Sequence, residues 1–190
     1  MRSLALVLLL LVPCLIHGQV KLEYEKRIDK SEFPQPAIDW LNSHPELPKK
    51  IRYLVETDGQ VHTYEAKFVH KKKWHSVEFD SLGQLQDVEV LIDRKEIPQP
   101  LREKVEAYLD AQYDKWRKDR IQRQYTAALN GPRVLERLWA NDEEVVCNLE
   151  IEVSVREGKQ TAHYELLFDP DGAHVATRKI EGQTYDYRKF

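Results

Sequence analysis

The sequence predicts an α+β fold of two tandem units, each with one or more N-terminal helices packed on a four-stranded antiparallel meander. A nine-residue segment at positions 28–36 recurs at 92–100 with six identical residues. A Phe-Asp-x-x-Gly motif recurs in the same order, at 79–83 and 168–172. After each predicted helix, the hydrophobic period changes from about 3.6 residues to about 2. We therefore divide the chain after the N-terminal segment into two repeats, residues 20–91 and 92–190.

Prolines mark where the predicted helices begin. Pro36 and Pro100 stand at first-turn positions, where the missing N–H of proline costs no hydrogen bond. The first helix is short and is predicted to end by Pro45. The second carries apolar residues at spacings of three and four, from Leu101 to Trp116. We expect it to continue to about residue 129, where Asn-Gly-Pro would end it.

Alternating apolar and polar residues predict four strands in each repeat. In the first repeat they cover about 51–56, 60–70, 74–80 and 84–91, with a hairpin signal at residues 57–59. In the second they cover about 133–140, 144–156, 161–169 and 173–181. Such a meander buries one face under its helix and leaves the other face free.

The first eighteen residues have the pattern of a secretory signal peptide. Arg2 supplies a positive start, an apolar stretch runs to Ile16, and a small residue, Gly18, precedes the expected cut. The stretch is too short to span a bilayer as a helix. A retained anchoring segment is the alternative. Lipidation at Cys14 is a weaker one, because Pro13 stands where a small residue is usual. The sequence thus predicts a periplasmic or secreted protein.

Cysteine usage argues against disulfide stapling. After cleavage near Gly18 only Cys147 remains, and a single cysteine forms no internal bridge. Alternation places it on the apolar side of a strand, with Leu149 and Ile151. We therefore expect a small buried side chain rather than a catalytic thiolate.

Composition excludes several function classes. The 29 basic and 32 acidic residues give a formal charge of −3, so the basic surplus that nucleic acid requires is absent. With 42% hydrophobic residues the chain is typical of a soluble globular protein. The seven glycines are too few for a glycine-rich phosphate cradle, and no Gly-x-Ser-x-Gly motif occurs. We predict no catalytic residues and no cofactor.

The sequence predicts no metal site either. The six histidines after residue 18 lack the spacing of a converging ligand set, and we expect them on strand surfaces. Asp169 and Asp171 resemble the start of a calcium loop, but the further oxygen ligands are missing, which favours a hairpin turn. A basic stretch at residues 115–123, interrupted by Asp119, is predicted to be a solvated helical face.

Aromatic residues provide the candidate partner contacts. Trp74 has the strand parity of Ser76 and Glu78, opposite to His75, Val77 and Phe79. If the latter set faces the core, Trp74 lies on the open face of the sheet, where an exposed tryptophan is a plausible anchor. Packing against the other repeat is the alternative. Tyr64 and Trp139 are further candidates, although their strand parity is ambiguous.

The pattern as a whole resembles a known family. Paired copies of an acidic residue followed by Ile/Phe-Pro-Gln-Pro, a helix and a meander with Phe-Asp-x-x-Gly, behind a signal peptide, look like the PepSY-like group, which is also similar to the β-lactamase-inhibitor-protein fold. The resemblance covers most of residues 20–185 and implies exported, non-enzymatic binding modules, sometimes inhibitors of peptidases or other envelope enzymes. It supplies no catalytic residues, and residues 113–132 depart from a minimal repeat.

These observations together predict a non-enzymatic binding module. It would engage a protein partner through an open sheet face, as an inhibitor or regulator of an envelope or secreted enzyme, with no stable membrane insertion after cleavage. Two alternatives stay open: a hydrolase with a site between the repeats, and a carrier of a small molecule or peptide. A polar cluster in a deep pocket would favour the first, and a closed apolar cavity the second.

Overall fold

The computed structural model describes residues 19–22, 24–57 and 62–181. The predicted signal peptide, with Cys14, and most of the predicted hairpin signal at 57–59 lie outside these ranges. Ten strands form one sheet: β1 (Gln19–Leu22), β2 (Tyr24–Ile28), β3 (Arg52–Thr57), β4 (His62–His70), β5 (Lys73–Phe79), β6 (Leu85–Leu91), β7 (Trp116–Thr126), β8 (Asn148–Glu157), β9 (Gln160–Phe168) and β10 (His174–Glu181). Four α-helices connect them: α1 (Gln35–Asn42), α2 (Gln99–Gln112), α3 (Ala127–Asn130) and α4 (Val134–Trp139).

The sheet is a long meander in which strands consecutive in sequence are neighbours. From β2 to β10 every pairing is antiparallel, and β1 adds to β10 in parallel. One residue separates β1 from β2, yet β1 pairs with β10 and β2 pairs with β3. Residue pairs Leu22–Glu181 and Tyr24–Thr57 therefore bring the two edges of the sheet together at one corner. The sheet is strongly curled as a result.

The predicted fold class is wrong. The structure is mostly β with few helices: the nine strands β2 to β10 form one continuous antiparallel meander, to which β1 adds in parallel, rather than two tandem units that each carry a four-stranded sheet. Strands β6 and β7 join across the expected boundary, with Val90 opposite Arg123. An unpaired β6 edge would leave a row of free N–H and C=O groups, and pairing with β7 satisfies them. The division into residues 20–91 and 92–190 stays a prediction.

Two predicted elements have the wrong type. Helix α2 ends at Gln112, and the residues expected to extend it form β7. The apolar stripe of the predicted helix ends at Trp116 and shifts phase towards Ile121 and Tyr125. These two residues are four apart, a separation that fits a helix but, being even, also suits a strand. The basic stretch thus lies on a strand. The predicted strand at 133–140 is helix α4, which buries Val134 and Leu135.

The two Ile-Asp segments have the same local geometry. In each, a 3₁₀ turn begins with reciprocal caps, in which the backbone N–H of Asp29 donates to Glu32 at 2.8 Å and that of Asp93 to Glu96 at 2.9 Å. A proline then stands at the start of each α-helix. The caps satisfy N–H groups that the short turns would otherwise leave open.

The Phe-Asp-x-x-Gly turns also share one geometry. Asp169 accepts hydrogen bonds from the backbone N–H groups of Asp171 and Ala173 at 3.0 and 2.8 Å, and Asp80 holds its own turn in the same way. Gly83 and Gly172 both adopt positive φ, 78° and 82°. These bonds make the turn at residues 169–172 an Asx-type hairpin turn.

The core lies between the helices and one face of the sheet. Trp40 of α1 packs on Phe79, Tyr108 of α2 on Phe168, and Trp139 of α4 on Phe68. The inward side chains of the central strands are fully or almost fully buried, among them Ala66, Val77, Val88, Ile121, Leu149, Val153 and Leu166. The helices therefore cover one face, and the strand alternation sends the other set of side chains to the opposite face.

Candidate functional site: the polar face of the sheet

The face opposite the helices is lined by charged and amide side chains. We call it the polar face; its central residues are Glu25, Arg52, Glu65, Lys67, Trp74, Ser76, Glu78, Asp87, Glu89, Arg120, Gln122, Gln124, Glu150, Glu152, Ser154, Glu165 and Arg178. Carboxylates outnumber basic groups among them. The side chains come from β2 to β10, so the face spans the width of the sheet.

Many of these polar groups are buried. Glu65 is 5% exposed and Glu165 4% exposed, and Asp87, Glu89, Glu150 and Glu152 are also buried. Charged groups that are buried away from water require partners, because desolvation of an unpaired charge costs about several kcal/mol.

Lys67 is the centre of an ion-paired cluster at the β2–β5 end of the polar face. Its ammonium lies 2.8 Å from Glu65 Oε2 and also pairs with Glu25, and the hydroxyl of Ser76 donates to Glu65. Burial alone would lower the pKa of Lys67, but Glu65 and Glu25 raise it above its ordinary value. Burial raises the pKa of Glu25 to about 7, although Lys67 opposes the shift. Lys67 therefore stays charged and links β4 to β2 across β3.

Two carboxylate triads lie farther along the polar face. Glu78, Asp87 and Glu89 form one, and Glu150, Glu152 and Glu165 form the other; within each triad, one oxygen from every residue lies within 4.8 Å of the others. These are the groups among the described residues whose geometry could hold a metal ion.

The two triads differ in the groups that surround them. Arg120 ion-pairs with Glu152 at 2.5 Å, and Arg178 lies 3.5 Å from Glu165. Around the other triad, Gln124 Nε2 donates to Asp87 at 3.1 Å and Gln122 Nε2 donates to Glu89. Guanidinium groups thus balance charge in one triad, and amides contact the other.

Trp74 is the predicted site residue that lies on the polar face. His75, Val77 and Phe79 are buried on the helix side, which places Trp74 opposite them. The guanidinium of Arg52 lies 5.0 Å from the centroid of its ring, a cation–π contact. Its cross-strand partner Val69 is 43% exposed. An apolar pair therefore stands beside the charged groups.

Tyr64 and Trp139 lie on the other side of the sheet. Tyr64 packs edge-to-face with Phe33, with ring centroids 5.5 Å apart. Trp139, in α4, stacks on His70. The structure therefore does not bring either residue together with Trp74, and as partner contacts both stay predictions.

The expectation of surface histidines fails at two positions. His75 is 5% exposed, and burial lowers its pKa to about 4. His44 is also buried, with Nδ1 2.8 Å from the carbonyl oxygen of Trp40. The ring of His44 packs on Trp40, and that of His75 packs on Phe68. Strand alternation alone did not indicate this burial. Burial likewise raises the pKa of the Cys147 thiol, which reduces its thiolate fraction.

Sequence reasoning missed the carboxylates of the polar face. The signal was present, because Glu150 and Glu152 alternate with Leu149, Ile151 and Val153 in a strand whose other face is core. Their burial and grouping depend on the registers between β5, β6 and β7 and between β8 and β9, which one strand does not reveal.

No family model matches this chain, and no curated protein matches it. Solved structures do match. The chain shares the fold of DUF2874 proteins. One of these, from Bacteroides ovatus, is 14% identical, with a TM-score of 0.52 over 78% of this chain and 89% of that chain.

Two further structures have the same relationship. A DUF2874 protein from Bacteroides uniformis is 12% identical, with a TM-score of 0.52 over 83% of this chain and 93% of that chain. A candidate periplasmic protein from Bacteroides eggerthii is 12% identical, with a TM-score of 0.51 over 77% and 88%. Such low identity supports a common fold and nothing finer.

The helices of the structure are short. Within the described ranges, none has the length and apolar character needed to cross a membrane.

Proposed function

We propose that this protein is an exported, non-enzymatic binding module that engages another protein through the polar face, and that it inhibits or regulates an envelope or secreted enzyme. The observation that carries the proposal is the face itself: nine consecutive strands present charged side chains on the side that the helices leave uncovered. A stable fold needs a packed core on one face of such a sheet, but it does not need this density of ionisable groups on the other.

The proposed contact centre is Trp74 with its neighbours Arg52 and Val69. Large aromatic and arginine side chains supply much of the binding energy in protein interfaces, and here a half-buried tryptophan and arginine stand together beside the exposed Val69. The acidic surplus beyond them suits a partner segment that carries lysine or arginine, because complementary charges guide association and fix orientation.

Export is part of the proposal. It rests on the signal-peptide pattern of residues 1–18, and the printed description of the similar Bacteroides eggerthii protein as a candidate periplasmic protein agrees with it.

Affinity capture from the envelope and secreted fractions of the producing cells tests this function. The bait is the purified protein, compared with Trp74→Ala on the polar face and with Leu82→Ala as a matched control. Leu82 is 68% exposed in the turn after β5, so its loss removes a surface apolar group elsewhere. We expect a partner that wild type and Leu82→Ala retain and Trp74→Ala loses, with retention that weakens as salt increases. Equal capture by all three baits would contradict the proposed contact, and no capture by any would contradict the binding function.

A further inference from the structure

The hairpin of β4 and β5 extends beyond the strands on either side of it. Pairing within the hairpin continues to His70 opposite Lys73. The register between β3 and β4 ends at Lys67, and the register between β5 and β6 begins at His75. The hairpin therefore passes its neighbouring strands by roughly 6–10 Å, at about 3.3 Å per residue. Its two-residue turn, at 71–72, lies at the far end of this extension.

Four exposed lysines lie at this end of the hairpin, and we call them the lysine tip. Lys71 and Lys72 form the turn, and Lys49 and Lys50 come just before β3, which begins beside the end of β4. No ion pair joins any of the four to an acidic residue within the part of the chain that the structure describes. The lysine tip is thus a patch of unbalanced positive charge.

The acidic groups near the lysine tip do not balance its charge. Glu96 is already paired with Lys73, the residue that follows the turn. Burial and Lys71 lower the pKa of His70, and Glu46 opposes them, which places both charged groups near that imidazole. Glu46 can offset one ammonium group, and a surplus of positive charge remains.

The two lysines of the turn strain its backbone. The φ angle is 47° at Lys71 and 66° at Lys72, so both residues adopt the left-handed conformation. Two-residue hairpin turns of this kind are most stable with Asn and Gly, because most other side chains cost stability at positive φ. Strain of this kind is concentrated at sites that carry a function. It is an observation independent of the charge, and it falls on the same two residues.

We propose that the lysine tip binds the anionic surface of a phospholipid bilayer and holds the protein there without insertion of the chain. Lysine carries a compact charge on a flexible stem, which suits a surface of many phosphate groups. A single bound phosphate is more often held by arginine, and an enclosed anion would bury its ligands, whereas all four lysines are exposed. Protein interfaces are depleted of lysine, which disfavours an acidic protein as the occupant of the tip.

The charge of the whole chain does not favour such a surface. The formal charge is −3, so an anionic bilayer repels the protein on average, and attachment has to come from the local charge of the lysine tip. The proposal does not depend on whether the polar face binds a protein. Vesicle binding and partner capture are separate measurements, and either can fail while the other succeeds.

Co-sedimentation of the purified protein with lipid vesicles tests the lysine tip. We expect wild type to bind vesicles of phosphatidylcholine mixed with phosphatidylglycerol, not to bind phosphatidylcholine alone, and to be released as salt increases. The double variant Lys71→Asn with Lys72→Gly should bind about thirtyfold more weakly, roughly fivefold for each lysine lost. Its Tm should equal or exceed that of wild type, because Asn-Gly suits the turn. Binding and stability should therefore change in opposite directions.

A matched control removes the same charge elsewhere. Lys104 donates to the carbonyl oxygen of Asp171 in the turn after β9, and Arg133 follows the end of β7. Because β7 and β9 both run antiparallel to β4, these residues lie near strand ends opposite to the lysine tip. Lys104→Gln with Arg133→Gln should bind the anionic vesicles as wild type does.

Several outcomes would overturn the proposal. They are no binding of wild type to the anionic vesicles, equal binding to phosphatidylcholine alone, unchanged binding by the turn variant, or an equal loss in the control. Wild type that ignores vesicles but needs Lys71 and Lys72 to capture a protein would assign the tip to an acidic protein instead. If circular dichroism shows that the turn variant does not fold, Lys49→Gln with Lys50→Gln replaces it, because both residues lie outside the strands; unchanged binding by that variant would equally overturn the proposal.

Discussion

The indole N–H of Trp139 lies 3.4 Å from Nε2 of His75, and the Nδ1 atom of the same imidazole lies 3.1 Å from the carbonyl oxygen of Lys73. One imidazole thus joins helix α4 to strand β5. The neutral tautomer with hydrogen on Nδ1 fits both contacts, since it donates to Lys73 and accepts from Trp139. The imidazolium form would place a proton against the indole N–H.

This contact predicts acid sensitivity. Burial lowers the pKa of His75 to about 4 from its ordinary value of 6.5, so the unfolded chain takes up a proton at a higher pH than the folded one. The free energy of unfolding therefore falls as pH drops from about 6.5 to about 4, by about 3 kcal/mol in all. In His75→Gln this contribution should be absent. Urea unfolding of both proteins across this pH range measures the difference, and parallel profiles would contradict the assignment.

Trp139 should stabilise α4 through packing. Its ring stacks on His70 with centroids 4.1 Å apart and also meets Phe68 edge-on. Trp139→Ala should lower the free energy of unfolding by about 3 kcal/mol, and Trp139→Phe by less, because most of the apolar contact survives. Thermal unfolding of both variants checks the order. If Trp139→Ala proved as stable as wild type, α4 would not be held by this ring.

Position 83 requires glycine for two reasons, its backbone conformation and the lack of room for a Cβ atom. Its φ is positive, and a Cβ there would lie 2.9 Å from the backbone nitrogen of Ala37 at the start of α1. At Gly172 the corresponding clash, 2.8 Å, is with a terminal methyl of Leu101, which can move. Gly158 also has positive φ but nothing within 4 Å of an added Cβ, so it serves as the matched control.

The three alanine substitutions should therefore differ in how much they lower the free energy of unfolding. We expect losses of about 1 kcal/mol for Gly158→Ala, from backbone strain alone, and about 3 kcal/mol for Gly83→Ala, with Gly172→Ala between them. Chemical denaturation measures the order. A Gly83→Ala variant no less stable than Gly158→Ala would contradict the close approach of the turn to α1.

The charge of Lys67 should be essential to its cluster. Lys67→Met leaves Glu65 and Glu25 together without the ammonium that pairs with both. We expect a loss of about 4 kcal/mol at neutral pH, as for other broken buried ion pairs. Adding Glu25→Gln and Glu65→Gln to Lys67→Met should restore most of it, because no unpaired charge then remains. Failure of the triple variant to recover would contradict this account, because methionine keeps the aliphatic stem and no buried charge of the cluster would remain.

Much of the local structure follows from the sequence. The alternation in residues 51–91 indicates β3 to β6 within a few residues, and the parity of Phe79 assigns Trp74 to the uncovered face. Strand β7 was not predicted, because Ile121 and Tyr125 also have a helical separation of four and no glycine or proline separates them from α2, although the stripe shifts phase between Trp116 and Ile121. The continuous sheet was missed for the same reason, since it depends on β7 pairing with β6.

The two carboxylate triads lie beyond single-sequence reasoning. Glu78 and Asp87 are neighbours because a turn at residues 80–84 sets the β5–β6 register, and Gln122 joins them from a strand that sequence periodicity assigned to a helix. Cross-strand register is a tertiary property, and no pattern within one strand specifies it.

Site-specific photo-crosslinking in the producing cells tests the central claim, that the polar face is the surface through which this protein works. A photoreactive amino acid replaces Trp74 on the polar face in one variant and Leu129, which is 59% exposed in α3 on the helix side, in the other. The account predicts a discrete crosslinked protein from position 74 and none from position 129. Crosslinking from position 129 alone, or from neither position, would contradict it.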